Sequence, residues 1–308
     1  MSTAAPPPPA GLPSAGLPPA GLPSAGLPPV ETTIAGLRSR LDAARAEGRT
    51  IALVPTMGAL HDGHLALVDH AAEAADLVIL SVFVNPLQFG PAEDFDRYPR
   101  DLEADRAALA GLGVDAVFAP AVDEMYPTGP VQTRVTAGPV GTMFEGRSRP
   151  GHFDGMLTVV AKLLGIAQPH VVVFGEKDAQ QVFLVQRMVR DLDIRTRVDV
   201  VETVRADDGL ALSSRNAFLD PRQRRAARAI PDALEAAQSA ADRGIDAVLA
   251  AAQGVLMGAE GVELDYVAVV RPDSFQPVDD DHRGPARALI AARVGPTRLI
   301  DTALLHLG

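Results

Sequence analysis

Cysteine is absent from all 308 residues, so neither a disulfide framework nor a thiolate metal site can form. Tryptophan is absent too, and aromatic residues reach only 4%. With 47% apolar residues, the core must therefore be built mainly from Ala, Val, Leu and Ile. Basic residues are outnumbered, 28 Lys and Arg against 39 Asp and Glu, for a formal net charge of -11. That balance argues against a broad nucleic-acid surface, whose footprint is an excess of Lys and Arg on one face. A triphosphate needs only a few well-placed cations, and those remain available. No apolar run approaches the ~20 residues required to span a bilayer. The N-terminus lacks a basic start, and prolines break its apolar residues, unlike a secretory signal. A soluble, cytoplasmic protein is the expectation.

What is present falls into three parts. Residues 1–30 carry a proline run and then the pentad AGLPS/AGLPP, repeated from Ala10, Ala15, Ala20 and Ala25. Gly and Pro in every repeat oppose both helix and sheet, so this reads as a disordered tail, either a dispensable extension or a docking arm. Residues 31–203 alternate helix and strand patterns. TIAGLRSRLDAARAEG has the spacing of an amphipathic helix ending near Gly48, TIALVP reads as a buried strand and HLALVDHAAEAA as a helix. DLVILSVFVN, DAVFAP, HVVVFG and RTRVDVVET are further strands, with helices DLEADRAALAGLG, MLTVVAKLLGIAQ and AQQVFLVQRMVRDL between them. Short apolar strands alternating with helices predict an α/β fold, a doubly wound parallel sheet covered on both faces. Residues 204–308 change texture: a polar turn, a helix-rich stretch, then strand candidates LDYVAVVRP and RALIAARVG. These predict a smaller α+β domain.

In a doubly wound sheet, ligands bind past the carboxyl ends of the strands. Three segments fall there. After TIALV comes PTMGALHDGH: Gly58 permits a tight turn, and a helix starting near His61 points N–H groups and a positive dipole end at its ligand. His61 and His64, three apart, share one helical face, and Gly63 between them would let an anion approach the backbone. The same spacing would suit a metal, although no third ligand is evident nearby, or a pair of surface histidines. After the next strand, Asn85 and Gln88 offer neutral hydrogen-bonding groups for a hydroxylated substrate. Asp94 and Asp96 in the following loop read either as solvated acids or as partners of a magnesium-bound phosphate. After HVVVF, Lys177 offers a mobile cation, Asp178 an acceptor for ribose hydroxyls, and Gln181 an amide for substrate. An ordinary charged helix start would look the same. Further on, LSSRN at 212–216 supplies hydroxyls and an arginine suited to a phosphate clamp.

Taken in order, PTMGALHDGH, FVNPLQFG, DFDRYPR, RPGHFDGMLTVVAKL, FGEKDAQQ, DGLALSSRN and RVGPTRLID closely resemble the pantothenate synthetase (pantoate–β-alanine ligase) family. That family is similar to the wider nucleotidyltransferases that share an H-x-G-H turn. The resemblance implies a Rossmann-like domain with a smaller lid, a homodimer, and two half-reactions. ATP, as its magnesium complex, and pantoate give pantoyl adenylate and pyrophosphate; the amine of β-alanine then takes the acyl group and releases AMP. It also implies roles. Met57, Gly58, His61 and His64 would line the ATP site, with His64 the proton donor and His61 a second phosphate contact. Gly175, Lys177 and Asp178 would hold the nucleotide, Val204 would meet adenine through its backbone, and Leu212, Ser213, Ser214 and Arg215 would clamp phosphates. Gln88, Gln181, Asn85 and Arg149 would bind pantoate and β-alanine. Catalysis would rest on His64, His61 and Lys177.

Three positions depart from the family pattern: Ala179 replaces a common aromatic residue, Leu212 a frequent methionine and Thr302 a frequent asparagine. None removes a charged group. Two rival readings remain: a nucleotidyltransferase acting on a phosphate ester, and a nucleotide sensor without turnover. The first would want extra cations where this chain has Asn85, Gln88 and Gln181. The second has no need of both histidines, Lys177 and the Ser-Ser-Arg run.

Overall fold

The computed structural model describes residues 26–90, 95, 98–129 and 131–308. The pentads from Ala10, Ala15 and Ala20, and the acids Asp94 and Asp96, lie outside the described residues.

Six strands form a parallel sheet: β1 (Val30–Glu31), β2 (Ile51–Thr56), β3 (Leu77–Val82), β4 (Ala116–Phe118), β5 (Val171–Gly175) and β6 (Arg197–Val201). Their order is β1-β4-β3-β2-β5-β6. Helices α1 (Ile34–Ala46), α2 (Asp62–Ala74), α3 (Leu102–Ala108), α4 (Val122–Met125), α5 (Glu145–Ser148), α6 (His152–Ala167) and α7 (Ala179–Asp191) lie between the strands. Strand periodicity divides the core into two layers. Along β2, Ile51 and Leu53 pack with residues of α1, α6 and α7, whereas Ala52 and Val54 pack with Leu67, Val68 and Ala71 of α2. Both faces are thus dry, as the unbroken apolar strands require. Strand order reverses at β2: the chain steps outward through β3 and β4, then crosses back through α6 to lay β5 on the other side of β2. Such a reversal opens a crevice past the carboxyl ends of β2 and β5.

Local chemistry sets the element ends. Thr33 caps α1 by accepting the Gly36 N–H at 3.1 Å, and Gly48, at φ +74°, terminates the turn after it. The buried residues Leu37, Leu41 and Ala44 mark the predicted apolar stripe. The sheet also takes up chain that composition assigns to the tail. Pro29 accepts the Val117 N–H at 2.9 Å, Val30 pairs with Val117, and Arg106 donates to the Pro28 carbonyl at 3.1 Å.

The C-terminal part holds α8 (Pro221–Ala227), α9 (Ala229–Ser239), α10 (Ile245–Gly258) and an antiparallel sheet of β7 (Val262–Val270), β8 (Gly284–Val294) and β9 (Thr297–Leu307). Alternate residues of β8, from Ala286 to Val294, pack on α9 and α10. From the opposite face Leu289 meets Val270, Phe275 and Ala179, so Ala179 lies in the seam between the two parts. The sequence pattern predicts only two of these strands. The third, β9, escapes because Asp301 and Thr302 are buried in mid-strand, which breaks the apolar alternation. Asp301 is tolerated there because Arg205 pairs with both of its oxygens, at 2.6 and 3.1 Å. α10 escapes as well.

Two ion pairs among the described residues cross the seam between the two parts. Arg298 on β9 binds both oxygens of Glu145 at 2.7 and 2.6 Å, and Tyr266 donates to the same carboxylate at 2.9 Å. A bulge between Leu264 and Tyr266 lets Asp265 join this group, accepting from Arg298 Nε at 2.8 Å. Arg287 on β8 pairs with Glu176 at 2.8 Å. No described helix is long and apolar enough to cross a membrane.

Candidate active site

A cleft opens at the reversal point, floored by the ends of β2 and β5 and walled by residues 202–204 and 212–215. Met57, His61, His64, Gln88, Arg149, Gly175, Lys177, Asp178, Gln181, Val204 and Leu212 to Arg215 all line it. Residues from distant stretches of the chain thus converge on one space. Two expected site residues do not line it. Gly58 shapes the turn behind the cleft, and Asn85 is only 1% exposed. Its amide is consumed internally: Nδ2 donates to Gln88 Oε1 and to the Gly155 carbonyl, both at 3.1 Å, while Oδ1 accepts from Tyr126 at 2.9 Å. Asn85 therefore orients Gln88 and does not line the cleft, contrary to the expectation.

α2 starts with His61 in the N-cap position and no side chain capping it. The His64 N–H turns back to the His61 carbonyl at 2.7 Å, which leaves the Asp62 and Gly63 N–H groups for other partners. The rings of His61 and His64 lie 4.1 Å apart, centroid to centroid. Gly63 is required by this packing, since a Cβ there would sit 2.9 Å from His61 Cε1. The space that a side chain at Gly63 would take is filled by the His61 ring. Burial pushes His61 down to about 4, helped by the charge of Lys177. Burial likewise pushes His64 down to about 3, helped by His61 and Lys177. Both imidazoles are therefore neutral at pH 7, each with one N–H and one lone pair. Nδ1 of each ring and the Thr203 hydroxyl are buried without a protein partner. Such atoms normally have one, and all three residues line the cleft.

Facing the histidines, the turn Glu176–Asp178 follows β5. Lys177 is 18% exposed, with Nζ 3.9 Å from Asp178. The loop Ser213 to Arg215 closes another side, with Ser213 Oγ accepting the Arg215 N–H at 3.3 Å. Tyr98 hydrogen-bonds Ser214, and burial pushes its phenol above the usual range. Deeper in, Gln88 Nε2 donates to Met57 Sδ at 3.0 Å. His152 Nδ1 lies 2.8 Å from the Gln88 carbonyl, and Arg149 reaches His152 Nε2 at 3.0 Å. An arginine can only donate, so the His152 proton sits on Nδ1 and is donated to Gln88. Phe83, Met156, Val159 and Val160 supply an apolar wall.

Sequence reasoning missed Tyr98, His152 and Thr203. The first two stand within DFDRYPR and RPGHFDGM, and only the three-dimensional convergence reveals them. No signal in the sequence marks Thr203. Among the described residues no group of three His, Cys, Asp or Glu side chains is placed to hold a metal.

Residues 29–304 match the family described as pantoate-beta-alanine ligase. The pantothenate synthetase of Leifsonia xyli subsp. xyli is 57% identical over 286 residues, covering 90% of this chain and 99% of its own. That of Nocardioides sp. is 54% identical over 88% of this chain and 84% of its own. Among solved structures, pantothenate synthetase from Thermus thermophilus superposes with a TM-score of 0.84 at 47% identity, covering 89% of this chain and 98% of that one. The pantoate-beta-alanine ligase of Francisella tularensis, complexed with β-γ ATP and β-alanine, gives 0.75 at 35% identity over 90% and 97%. With its fold and nearly its whole length matched in this way, the chain belongs to the pantoate–β-alanine ligase family.

Proposed function

We propose that the cleft joins pantoate to β-alanine at the expense of ATP, through a pantoyl adenylate. A carboxylate is a poor acyl donor because its leaving group would be oxide; attaching AMP supplies a good one. In the first half-reaction the pantoate carboxylate attacks the α-phosphorus, and the bond to pyrophosphate breaks. In the second, the amine of β-alanine attacks the acyl carbon and AMP leaves, giving the amide.

The residues divide along these lines. The uncapped start of α2, His61, His64, Lys177 and the Ser213–Arg215 loop offer donors to the phosphates. Here His64 and His61 act as neutral N–H donors, with His64 on the α-phosphate. A polyphosphate beside them raises their proton affinity, so charge can be met as it develops. Gly175 and Asp178 hold the ribose side, and the backbone of Val204 meets adenine. Gln88 and Gln181 grip the pantoate hydroxyls and carboxylate, with β-alanine entering near Gln88 and Arg149. Magnesium comes with ATP as part of the substrate, neutralising phosphate charge. The lid residues keep water from the acyl adenylate. The homodimer and the cytoplasmic location belong to the same reading, on the family resemblance.

One observation carries it: the neutral amides of Gln88 and Gln181 share a single cleft with the cations and imidazoles of a nucleotide site. An acceptor phosphate would need charge where these amides stand. The decisive assay supplies ATP, magnesium, pantoate and β-alanine and follows AMP and pantothenate. AMP must depend on pantoate, and omitting β-alanine must leave bound pantoyl adenylate. AMP no higher than in the minus-pantoate control would sink the proposal.

A further inference from the structure

The turn that carries Met57 and His61 is held from behind by a side chain distant in sequence. Asp105, on α3, is 4% exposed and does not line the cleft. Its Oδ2 accepts the Ala59 N–H at 3.2 Å and its Oδ1 the Leu60 N–H at 2.8 Å. Two successive residues of this turn are left-handed, Gly58 at φ +80° and Ala59 at φ +53°. Alanine disfavours that region because its Cβ crowds the following carbonyl oxygen. Backbone in such a state persists only when its surroundings over-determine it. Here the surroundings are the Asp105 carboxylate on one side and Thr56 on the other, whose hydroxyl accepts the Gly58 N–H at 3.2 Å and donates to the Ser81 carbonyl at 2.7 Å. Gly58 is fixed by the same contact, since a Cβ there would sit 2.7 Å from Asp105 Oδ2.

The turn has a ligand-facing residue at each end. Met57 Sδ receives Gln88, the amide given to pantoate, and His61 begins the helix given to phosphate. We infer that Asp105 is a positioning residue for adenylation: its carboxylate fixes the Gly58–Ala59 turn and so sets His61 and His64 relative to Gln88. This inference rests on the ATP reading of the cleft. Asp105 works through two backbone N–H groups and touches no substrate.

Asp105→Asn keeps the size but turns one acceptor into an NH2 group facing an N–H. The expected result is a KM for ATP raised about tenfold, the change for losing a hydrogen bond to a charged group, with KM for β-alanine unchanged. Adding Ala59→Gly, which holds positive φ without the tether, should restore kcat/KM for ATP by about fivefold over D105N alone. A merely structural role would shrink the folded fraction and lower kcat while leaving every KM alone. If D105N folds poorly, calorimetric binding of a non-hydrolysable ATP analogue, normalised to folded protein, reads the same shift. Wild-type kinetics in D105N, a loss confined to kcat, or a double variant no better than D105N would each overturn the inference. The unsubstituted enzyme run alongside tests the underlying reading separately, through its pantoate-dependent AMP.

Discussion

Acidifying the ligand-free protein should cost it stability through His64, and the amount can be worked out. A free imidazole titrates at about 6.5, whereas His64 in the fold titrates at about 3 because burial excludes its charged form. Between those values the unfolded chain binds a proton that the folded chain refuses. Stability therefore rises with pH across that window, is fully present above it, and falls as pH drops from about 6.5 toward about 3. At pH 5 the unfolded ring is almost wholly protonated and the folded ring almost wholly neutral. The difference amounts to about 2 kcal/mol relative to pH 8. His61, whose ring water partly reaches, adds in the same direction but by less. Urea unfolding of wild type and of His64→Gln at pH 8 and pH 5 reads the effect, because every titration apart from that of the neighbouring His61 is common to both. The gap between the two proteins should shift by about 2 kcal/mol in favour of the variant at pH 5. A gap that stays constant from pH 8 to pH 5 would refute the argument, and with it the lowered titration of the buried His64 ring.

Three further outcomes are expected. Lys177→Ala should lower turnover by roughly 10²–10³, the scale for losing a charge contact made in the transition state; steady-state turnover equal to wild type would make Lys177 a bystander. Arg298→Leu should destabilise by about 3–5 kcal/mol, because Glu145, with its side chain only 12% exposed, would be left without its arginine; adding Glu145→Gln should recover much of that loss in denaturant titrations. A chain beginning at Gly26 should melt with the full-length protein, whereas one beginning at Thr32 loses the β1 pairing and the Pro28 contact and should melt lower, by about 2–4 °C per kcal/mol lost. Equal melting of all three would show that β1 contributes nothing.

Much of the parallel-sheet half was legible in the sequence because its physics is local. Buried parallel strands such as VVVFG must be apolar on both faces, and helices such as α1 announce themselves through the stripe Leu37, Leu41 and Ala44 and the cap at Thr33. The C-terminal sheet was less legible. β9 hides its strand period behind Asp301, whose burial depends on Arg205, 96 residues away, and no local pattern records such a partner. The same limit governs the site. His61, His64 and Lys177 sit where strands end, so topology alone nominates them. Asn85 was nominated on side-chain chemistry and turned out to spend that chemistry on Gln88 and Gly155. Asp105 went unnoticed because a carboxylate on an amphipathic helix looks like surface, and its partners are backbone atoms that carry no sequence signature.

The reversal of strand order at β2 also dictates when this protein can begin to work during synthesis. The Ile51 N–H donates to the ring of His170, 119 residues further along the chain, beside the pairing of β2 with β5. Until β5 has left the ribosome, β2 is an exposed apolar edge, the kind of surface that invites misassociation. Closing so long a loop is entropically slow. Because the cleft is floored by those two strands, its two sides meet only at that late step. A nascent chain that stops short of Gly175 would hold His61 and His64 with nothing opposite them. Binding of a nucleotide therefore waits on translation past β5 and through Lys177, Val204 and the Ser213–Arg215 loop, and arrested chains of graded length should acquire it only once that loop has emerged.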